Sequence, residues 1–367
     1  IIELRKHFNV PILIGGVGSI TEPEKAIKFA DVACTGEGEQ VIVEIANRLE
    51  KKESLSGIIG TYFRQENGEI QRNPKAKVTD LSGLAMPIYD NSHYTFINGA
   101  HFIRESEHNY RMEDKSYTIM TQRGCPFSCS FCIESFLQNE FGKKEHLRRV
   151  NVDRAIKELK YAKEVLGHTV VAFWDDVFPI NPEWLDEFLP RYKTEIDLPF
   201  FCYTYPSTTK LDMLLKLKEA GCDSITMGVQ SGSERILKDV FDRRSNNKQV
   251  LKAADVLVKS GIANIAIDLI PKTAFDTEQD LIDTLELLLQ LPYELTPSFY
   301  NELAIYPNYP IHEKLKDQEL IGSSNAVTED LYLFYFKLMA LTPIKRMDRN
   351  MIRQMMIDPY YREDHNR

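Results

Sequence analysis

From residue 116 onward, short apolar runs alternate with amphipathic stretches, and that rhythm restricts the fold more than any single motif does. The runs are SYTIMTQ (116–122), HTVVAFW (168–174), PFFCYT (199–204), SITMGV (224–229), NIAIDLI (264–270) and SFYNELAIY (298–306). Between them the apolar spacing is helical near 152–166, 182–193, 208–220, 233–239 with 247–260, and 277–290. Strands separated by helical crossovers build a parallel sheet. That sheet is either a barrel or an open doubly wound sheet, and six units are fewer than the eight of a closed barrel.

The first fifty residues show the same alternation on a smaller scale. PILIGG (11–16) reads as a buried parallel strand ending in two glycines. TEPE (21–24) has the pattern of a capping box, Thr21 as N-cap and Glu24 three residues on, opening a helix through Ala30. DVACTGEGE (31–39) is a second strand running into a glycine turn, and Val41, Ile42, Ile45, Ala46 and Leu49 form a helical stripe. These are the closing elements of a doubly wound α/β domain. GIIGTYFRQENGEIQRN (57–73) reads as a hairpin with Asn67-Gly68 as a primed turn. The expected organisation is an α/β remnant over 1–56, a hairpin and linker over 57–115, the main βα unit over 116–308 and a helical region over 309–367. Since Ile1 falls inside what reads as a structured unit, the chain is expected to be part of a longer protein.

Bulk properties narrow the class. Lys and Arg number 45 against 54 Asp and Glu, so the net charge of −9 supplies no basic field to gather nucleic acid. No apolar run approaches the roughly eighteen residues of a membrane-spanning helix, and no signal peptide is visible. The clustered cysteines are not laid out as a disulfide framework, and reduced thiols mean a reducing compartment, so the cytoplasm is expected.

TQRGCPFSCSFCIESF (121–136) sits directly after the first strand of the main unit. Three of the chain's six cysteines fall there within eight positions, Cys125, Cys129 and Cys132, spaced CxxxCxxC. A structural zinc site closes with four ligands, and a disulfide framework uses an even number. Three thiolates can instead hold a four-iron four-sulfur cluster that leaves one iron without a protein ligand. An open position marks a metal site that binds substrate or cofactor. Cys34, Cys202 and Cys222 lie far away, in or beside apolar segments where buried cysteine is common. The competing readings are a zinc knuckle with a distant fourth ligand and three core cysteines close by chance.

CxxxCxxC with an aromatic, Phe131, before the last cysteine resembles the signature of the radical S-adenosylmethionine (SAM) superfamily. The resemblance implies a partial barrel of six βα units, TIM-like, with SAM's amino and carboxylate groups on the open iron. It also implies reductive cleavage of SAM to methionine and a deoxyadenosyl radical. HLRRVNVDRAIKELKYAKEVLG (146–167) resembles the segment that follows the cluster loop in that family. VVAFWDDVF (170–178) stands where many members carry GGE, and the pair Asp175-Asp176 resembles the cobalamin-dependent branch. GVQSGSERIL (228–237) resembles the fourth-strand motif, which makes Gln230 and Ser231 candidates for SAM's polar groups. IDLIPKT (267–273) resembles the strand that ends near the adenine, with Ile270 as the contact and Lys272 where a glycine is usual. YPNYPIHEKL (306–315) resembles the segment after the sixth strand, without its glycine.

Gly15-Gly16, followed by TEPE and GEGE (36–39), resembles the last third of a Rossmann-like cobalamin-binding domain. Glycines let the backbone approach a cofactor where a side chain would block it, so Gly15, Gly16, Gly36 and Glu37 are candidate cobalamin contacts. None of the eight histidines stands in the DxHxxG loop of that family, which is expected upstream of Ile1. A bland reading of the glycine pair is a tight βα turn.

Other features have plainer readings. His93, His101 and His108 have no regular spacing and read as solvated linker residues. DLYLFYFKLMAL (330–341) reads as a helix packing an aromatic stripe onto the barrel rather than a membrane-surface helix. Arg148 and Arg149 suit either an anionic substrate or the protein's own acidic groups. The resemblance implies a radical SAM enzyme that abstracts hydrogen from a substrate carbon and transfers a methyl group from cobalamin. Its partners would be a small-molecule or peptide substrate and an electron donor such as flavodoxin or ferredoxin. The alternatives are an oxidative cyclase or methylthiotransferase-like reaction, and, outside catalysis, an iron–sulfur electron-transfer or metal-binding protein.

Overall fold

The computed structural model describes residues 2–87, 95–98, 101–104, 115–299, 302–317 and 327–363. His93 and His108 and the side chain of His101 lie outside the described part. The chain divides into two compact units. The first comprises 1–84, 128–148 and 305–316, and the second comprises 85–127, 149–304 and 317–367.

The first unit holds a four-stranded sheet in the order β1 (Leu13–Ile14), β2 (Val32–Cys34), β3 (Thr61–Arg64), β4 (Ile70–Arg72). β1 and β2 are parallel, and the hairpin β3–β4 extends the same sheet antiparallel from β2. Helix α1 (Glu39–Lys51) covers one face, setting Val41 and Ile45 against Val32, Cys34, Leu55 and Ile58. Ala26, Ile27 and Ala33 form a second small core with Ile14, Tyr62 and Ile70.

Two local expectations are corrected here. Thr21 ends a helical turn over 17–21 instead of capping a helix, and its hydroxyl donates to the Gly18 carbonyl. The next helix is only Pro23–Ala26, with Pro23 in its first turn, where the missing N–H costs nothing. The hairpin loop is not a primed two-residue turn. The Gly68 N–H donates to the Gln65 carbonyl (2.9 Å), and only Gly68, not Asn67, has a positive φ (+84°). That is a turn followed by a left-handed glycine, the three-residue alternative.

The second unit is built on six parallel strands, β7 (Ser116–Ile119), β8 (Val170–Phe173), β9 (Phe200–Thr204), β10 (Cys222–Gln230), β11 (Asn264–Leu269) and β12 (Leu295–Ser298). A short antiparallel hairpin, β5 (Thr95–Asn98) with β6 (His101–Arg104), precedes them within the expected linker. Each of the six strands pairs with the next in the chain, so the order never reverses. A doubly wound sheet must reverse at a switch point, so this is a partial (βα)6 barrel. Helices α3 (Val152–Glu164), α4 (Pro182–Arg191), α5 (Leu211–Ala220), α6 (Asn247–Ser260) and α7 (Glu278–Leu288) fill the crossovers. Helix α2 (Ile133–Phe141) follows the cysteine loop in the first unit.

Side-chain alternation sorts the two faces of the curved sheet. Ile119, Phe173, Phe200, Cys202, Ile225, Met227, Ile265, Ile267 and Leu295 are buried in the core with the helices. Their neighbours Thr118, Phe201, Tyr203, Thr226, Ala266, Asp268 and Ser298 are half-buried or exposed. Around Phe173, aromatic rings close the core, with Phe178, Phe188, Tyr192 and Phe200 all within 6.0 Å between centroids. Helix α8 (Glu329–Leu341) buries Tyr332, Phe334, Tyr335, Leu338 and Met339, as its aromatic stripe predicts. The Tyr332 hydroxyl donates to the Thr273 carbonyl at 2.9 Å.

The sixth strand ends where it was expected to begin. It contains Pro297, which removes a ladder donor and argues against a strand in the sheet interior. Among the described residues β12 pairs only with β11, and an edge strand tolerates that loss. Among the described residues no helix is long and apolar enough to cross a membrane.

Candidate functional site

The cysteine loop leaves the first strand through Gly124, whose φ of +92° favours glycine. None of the three cysteines forms a disulfide; Cys129 is buried and Cys125 and Cys132 are half-buried. The Cys132 N–H donates to the Cys129 carbonyl (3.0 Å), closing one turn. The Cys132 carbonyl then accepts from the N–H (3.2 Å) and hydroxyl (2.8 Å) of Ser135 as α2 begins. Phe131, between them, is half-buried. The Ser130 carbonyl accepts the Ile311 N–H (3.0 Å), and Tyr309 stacks on Phe136 at 6.4 Å. The 306–315 segment is thus bound directly to the cysteine loop.

Among the described residues, no three His, Cys, Asp or Glu side chains stand as a group able to hold a metal ion. The metal ligand is the thiolate, not the thiol. In kind, the donor set fits an iron–sulfur cluster. Three thiols fall in one short loop, two of them on a hydrogen-bonded turn, and no carboxylate or imidazole stands between residues 125 and 132.

After β8 the chain alternates exposed and buried side chains. Trp174 and Asp176 are exposed, and Asp175 between them is fully buried. The Thr121 hydroxyl hydrogen-bonds both Asp175 oxygens, at 3.1 and 3.0 Å. Burial pushes Asp175 up to about 6, while Arg149 and the Thr121 hydroxyl pull the other way. Arg149 lies 4.6 Å over the Trp184 ring and donates to the Phe178 carbonyl at 3.0 Å. Its neighbour Arg148 instead pairs with Glu37, with Nη1 at 3.1 Å from Oε2. Both arginines serve the protein's own structure. Asp175 faces its own scaffold, and Asp176 beside it, the other member of the pair, is exposed.

The raised Asp175 value has a sign that can be tested. Its folded value lies above the ordinary 3.8, so its contribution to stability is full below about pH 4 and is lost as pH rises through about 6. That loss is roughly 3 kcal/mol. Asp175→Asn should therefore denature at higher urea than the wild type near pH 8, and the difference should vanish near pH 4. A constant difference across pH would show that Asp175 carries no buried charge.

At the end of β10, Gln230 takes φ +75°, one of five non-glycine residues with positive φ among those described. The register slips between Gly228 and Gln230, and the Gln230 carbonyl accepts the Ile270 N–H at 2.9 Å. Strain of this kind costs about 1–3 kcal/mol and gathers at functional sites. Nearby, the Arg243 guanidinium lies 4.3 Å over the Tyr205 ring and donates to the Gly228 carbonyl. Ser231 is buried, and its hydroxyl faces Thr284 on α7 (3.4 Å) and accepts the Ser233 N–H (3.1 Å). Of this pair only Gln230 remains on the half-buried side. Lys272 pairs with Glu329 (2.5 Å) and Glu302 (3.4 Å), bracing the start of α8.

In the first unit, Gly16 takes φ +85° and ψ −175°, a conformation that is essentially glycine's alone, and a Cβ there would meet nothing within 4 Å. A Cβ on Gly15 would make ordinary contact with the Cβ of Cys34 at 3.6 Å. Gly15, Cys34 and Gly38 line a cavity of about 150 Å³ with Val41 and Ile45. Gly36 lies against the Phe141 ring, and Glu37 is engaged by Arg148 and by the Thr79 N–H (2.6 Å). The glycine pair thus leaves open space, while Glu37 is occupied within its own unit.

Residues 119–288 match the family model described as the radical SAM superfamily. With the unreversed six-stranded βα sheet, this defines the class, and the chain carries a radical SAM domain. Among curated proteins it is 28% identical over 236 residues to an uncharacterized methyltransferase of Pyrococcus horikoshii, a match covering 63% of this chain and 47% of that protein. It is 24% identical over 328 residues to bacteriochlorophyllide d C-8(2)-methyltransferase of Chlorobaculum tepidum, covering 87% of this chain and 65% of that one. It is 30% identical over 207 residues to tRNA-2-methylthio-N(6)-dimethylallyladenosine synthase of Clostridium tetani, covering 53% and 44%. The chain spans about half the length of most of these relatives. In fold it is similar to the radical SAM methyltransferase TsrM of Kitasatospora setae, solved with cobalamin and a 4Fe-4S cluster bound. That match has TM-score 0.65 and 19% identity, over 86% of this chain and 59% of that one. It is also similar to the cobalamin-dependent SAM radical enzyme OxsB, with TM-score 0.62 and 19% identity over 94% and 48%.

Proposed function

We propose that this chain belongs to a cobalamin-dependent radical SAM methyltransferase acting on a substrate carbon. The observation that carries the reading is the three-thiol loop CxxxCxxC, with no fourth cysteine near it in sequence, at the end of the first strand of a partial (βα)6 barrel. A four-iron cluster there would supply the electron that cleaves SAM. Cys125, Cys129 and Cys132 would hold three irons, and Phe131 would shield the loop. Gln230, kept at positive φ, and Ile270, tied to it by a backbone hydrogen bond, would line the SAM side together with the Asp175-Asp176 turn. Ser231 would act on that loop through its bonds to Thr284 and Ser233.

The methyl-transfer half of the reading rests on the first unit. Gly15 and Gly16 would admit the nucleotide tail of cobalamin to the sheet end, with the Gly36 turn beside it. Glu37 would position that turn through Arg148 and the Thr79 N–H. The match to a named methyltransferase over 328 residues supports this. The methylthiotransferase-named relatives support a second reading, but the Clostridium tetani match covers only 53% of the chain. A small-molecule or peptide substrate, a flavodoxin or ferredoxin donor and a cytoplasmic location complete the proposal.

Anaerobic reconstitution followed by iron and sulfide analysis tests the reading. About four of each per chain are expected. Stoichiometric zinc without sulfide would leave a structural metal site instead. Visible absorbance during cobalamin titration of the longer protein tests the methyl carrier, and no spectral change would remove it.

A further inference from the structure

Two of the three clustered cysteines are placed by their own backbone. Cys129 and Cys132 share one turn, closed by the Cys132 N–H on the Cys129 carbonyl at 3.0 Å. Such a turn is disfavoured at Cys125, because Pro126 follows it and the residue before a proline is pushed out of the helical region. The place of Cys125 therefore depends on contacts from beyond the loop.

Within the second unit two anchors bracket Cys125. The first lies on its N-terminal side. Buried Asp175 takes the Thr121 hydroxyl on both carboxylate oxygens, at 3.1 and 3.0 Å, and accepts the Gln122 backbone N–H. The Thr121 carbonyl in turn accepts the Val150 N–H at 2.8 Å. Gln122 is only 3% exposed, and its side-chain amide donates to the Gly124 carbonyl at 2.9 Å. That carbonyl lies in the same rigid peptide plane as the Cys125 nitrogen, so holding it sets the direction in which Cys125 starts. The second anchor lies on the C-terminal side. The Phe127 ring stacks on Tyr205, just past the end of β9, with 3.8 Å between centroids. Tyr205 is itself met by the Arg243 guanidinium at 4.3 Å.

Resting on the reading of these cysteines as cluster ligands, we propose that Gln122, Tyr205 and the Thr121–Asp175 pair are positioning residues that hold Cys125 for metal binding. Asp175 acts on the metal site through Thr121 and Gln122. Groups that orient a ligand without touching the metal change metal affinity by roughly 10–100-fold when they are removed.

The probe is Co(II) added anaerobically to the full chain before cluster assembly, since thiolate-to-cobalt absorption reports the number of coordinating sulfurs without iron, sulfide or SAM. The wild type should show three thiolates, and Cys125→Ala gives the two-thiolate reference. Gln122→Met keeps the length of the side chain and removes its donor. It should bind Co(II) about tenfold or more weakly, with a spectrum shifted toward that of Cys125→Ala. Thr121→Val should do the same, whereas Thr121→Ser, which keeps the hydroxyl, should bind as the wild type does. Tyr205→Leu should weaken binding, and Tyr205→Phe, which keeps the ring, should not. A merely structural role would lower the urea midpoint and leave the affinity and spectrum of the folded protein unchanged. If Gln122→Met does not fold, the Thr121 pair decides the first anchor. Wild-type binding by any folded variant of Gln122→Met, Thr121→Val or Tyr205→Leu would overturn the proposal, as would a wild type without the three-thiolate spectrum. Deoxyadenosine formation from SAM is a separate readout. A wild type that forms it while these variants bind Co(II) normally loses only this inference. One that shows the Co(II) pattern but forms no deoxyadenosine loses only the functional reading.

Discussion

Cys129→Ala should form no deoxyadenosine above the background of the reaction without protein, while the wild type, reconstituted and reduced, forms it. Cys129 is the buried member of the three and lies on the turn closed by the Cys132 N–H. Two remaining thiolates leave two irons without protein ligands, so the iron and sulfide content should fall with the activity. The side chain lost is small, and alanine fills most of its volume, so the fold should persist. Chromatography of the SAM reaction, with circular dichroism on the same sample, separates these effects. Equal product from variant and wild type would show that the electron comes from elsewhere and would end the cluster reading.

The second large effect is on stability, at Gly232. Its N–H donates to the Thr284 hydroxyl (3.0 Å) where the loop after β10 crosses α7. A Cβ there would stand 2.5 Å from the Thr284 Cα, 2.7 Å from the Asp283 carbonyl oxygen and 3.0 Å from the Leu287 Cβ. Two of these atoms are helix backbone, so no rotamer change relieves the contact, and the loop must lift off the helix. Gly232→Ala should cost about 3 kcal/mol, the upper end for overpacking, and lower the urea midpoint at unchanged slope. Gly18→Ala is the contrast. A Cβ there meets nothing within 4 Å on a helical turn, and it should be neutral or stabilising by roughly 0.5–1 kcal/mol. If the two variants melt together, the close packing at Gly232 is not what holds this loop.

Gly232 also illustrates the kind of information that is not legible along the chain. GVQSGSERIL offers Gln230 and Ser231 as equivalent polar neighbours, yet adjacent residues at a strand end point to opposite faces. Gln230 stays on the half-buried side, and Ser231 is used against α7. The same parity separates Asp175, buried on Thr121, from exposed Asp176.

Local chemistry by itself determined a good deal. Alternating apolar runs and helical stripes dictate parallel strands with crossovers, because that pattern is set by near neighbours in the chain. The CxxxCxxC spacing and the absence of a fourth thiol in reach are likewise complete in the sequence. The helix at 329–341 follows from its own stripe. Where a residue's role depended on a distant partner, only the tertiary structure decided. Glu37 resembled a cofactor contact until Arg148, 111 positions away, was seen to occupy it. A strand containing Pro297 was acceptable only once β12 stood at the sheet edge, where the missing N–H has no ladder partner to lose. The choice between a doubly wound sheet and a partial barrel came from strand order, which pairs residues far apart in sequence and leaves no mark on the local pattern of either strand.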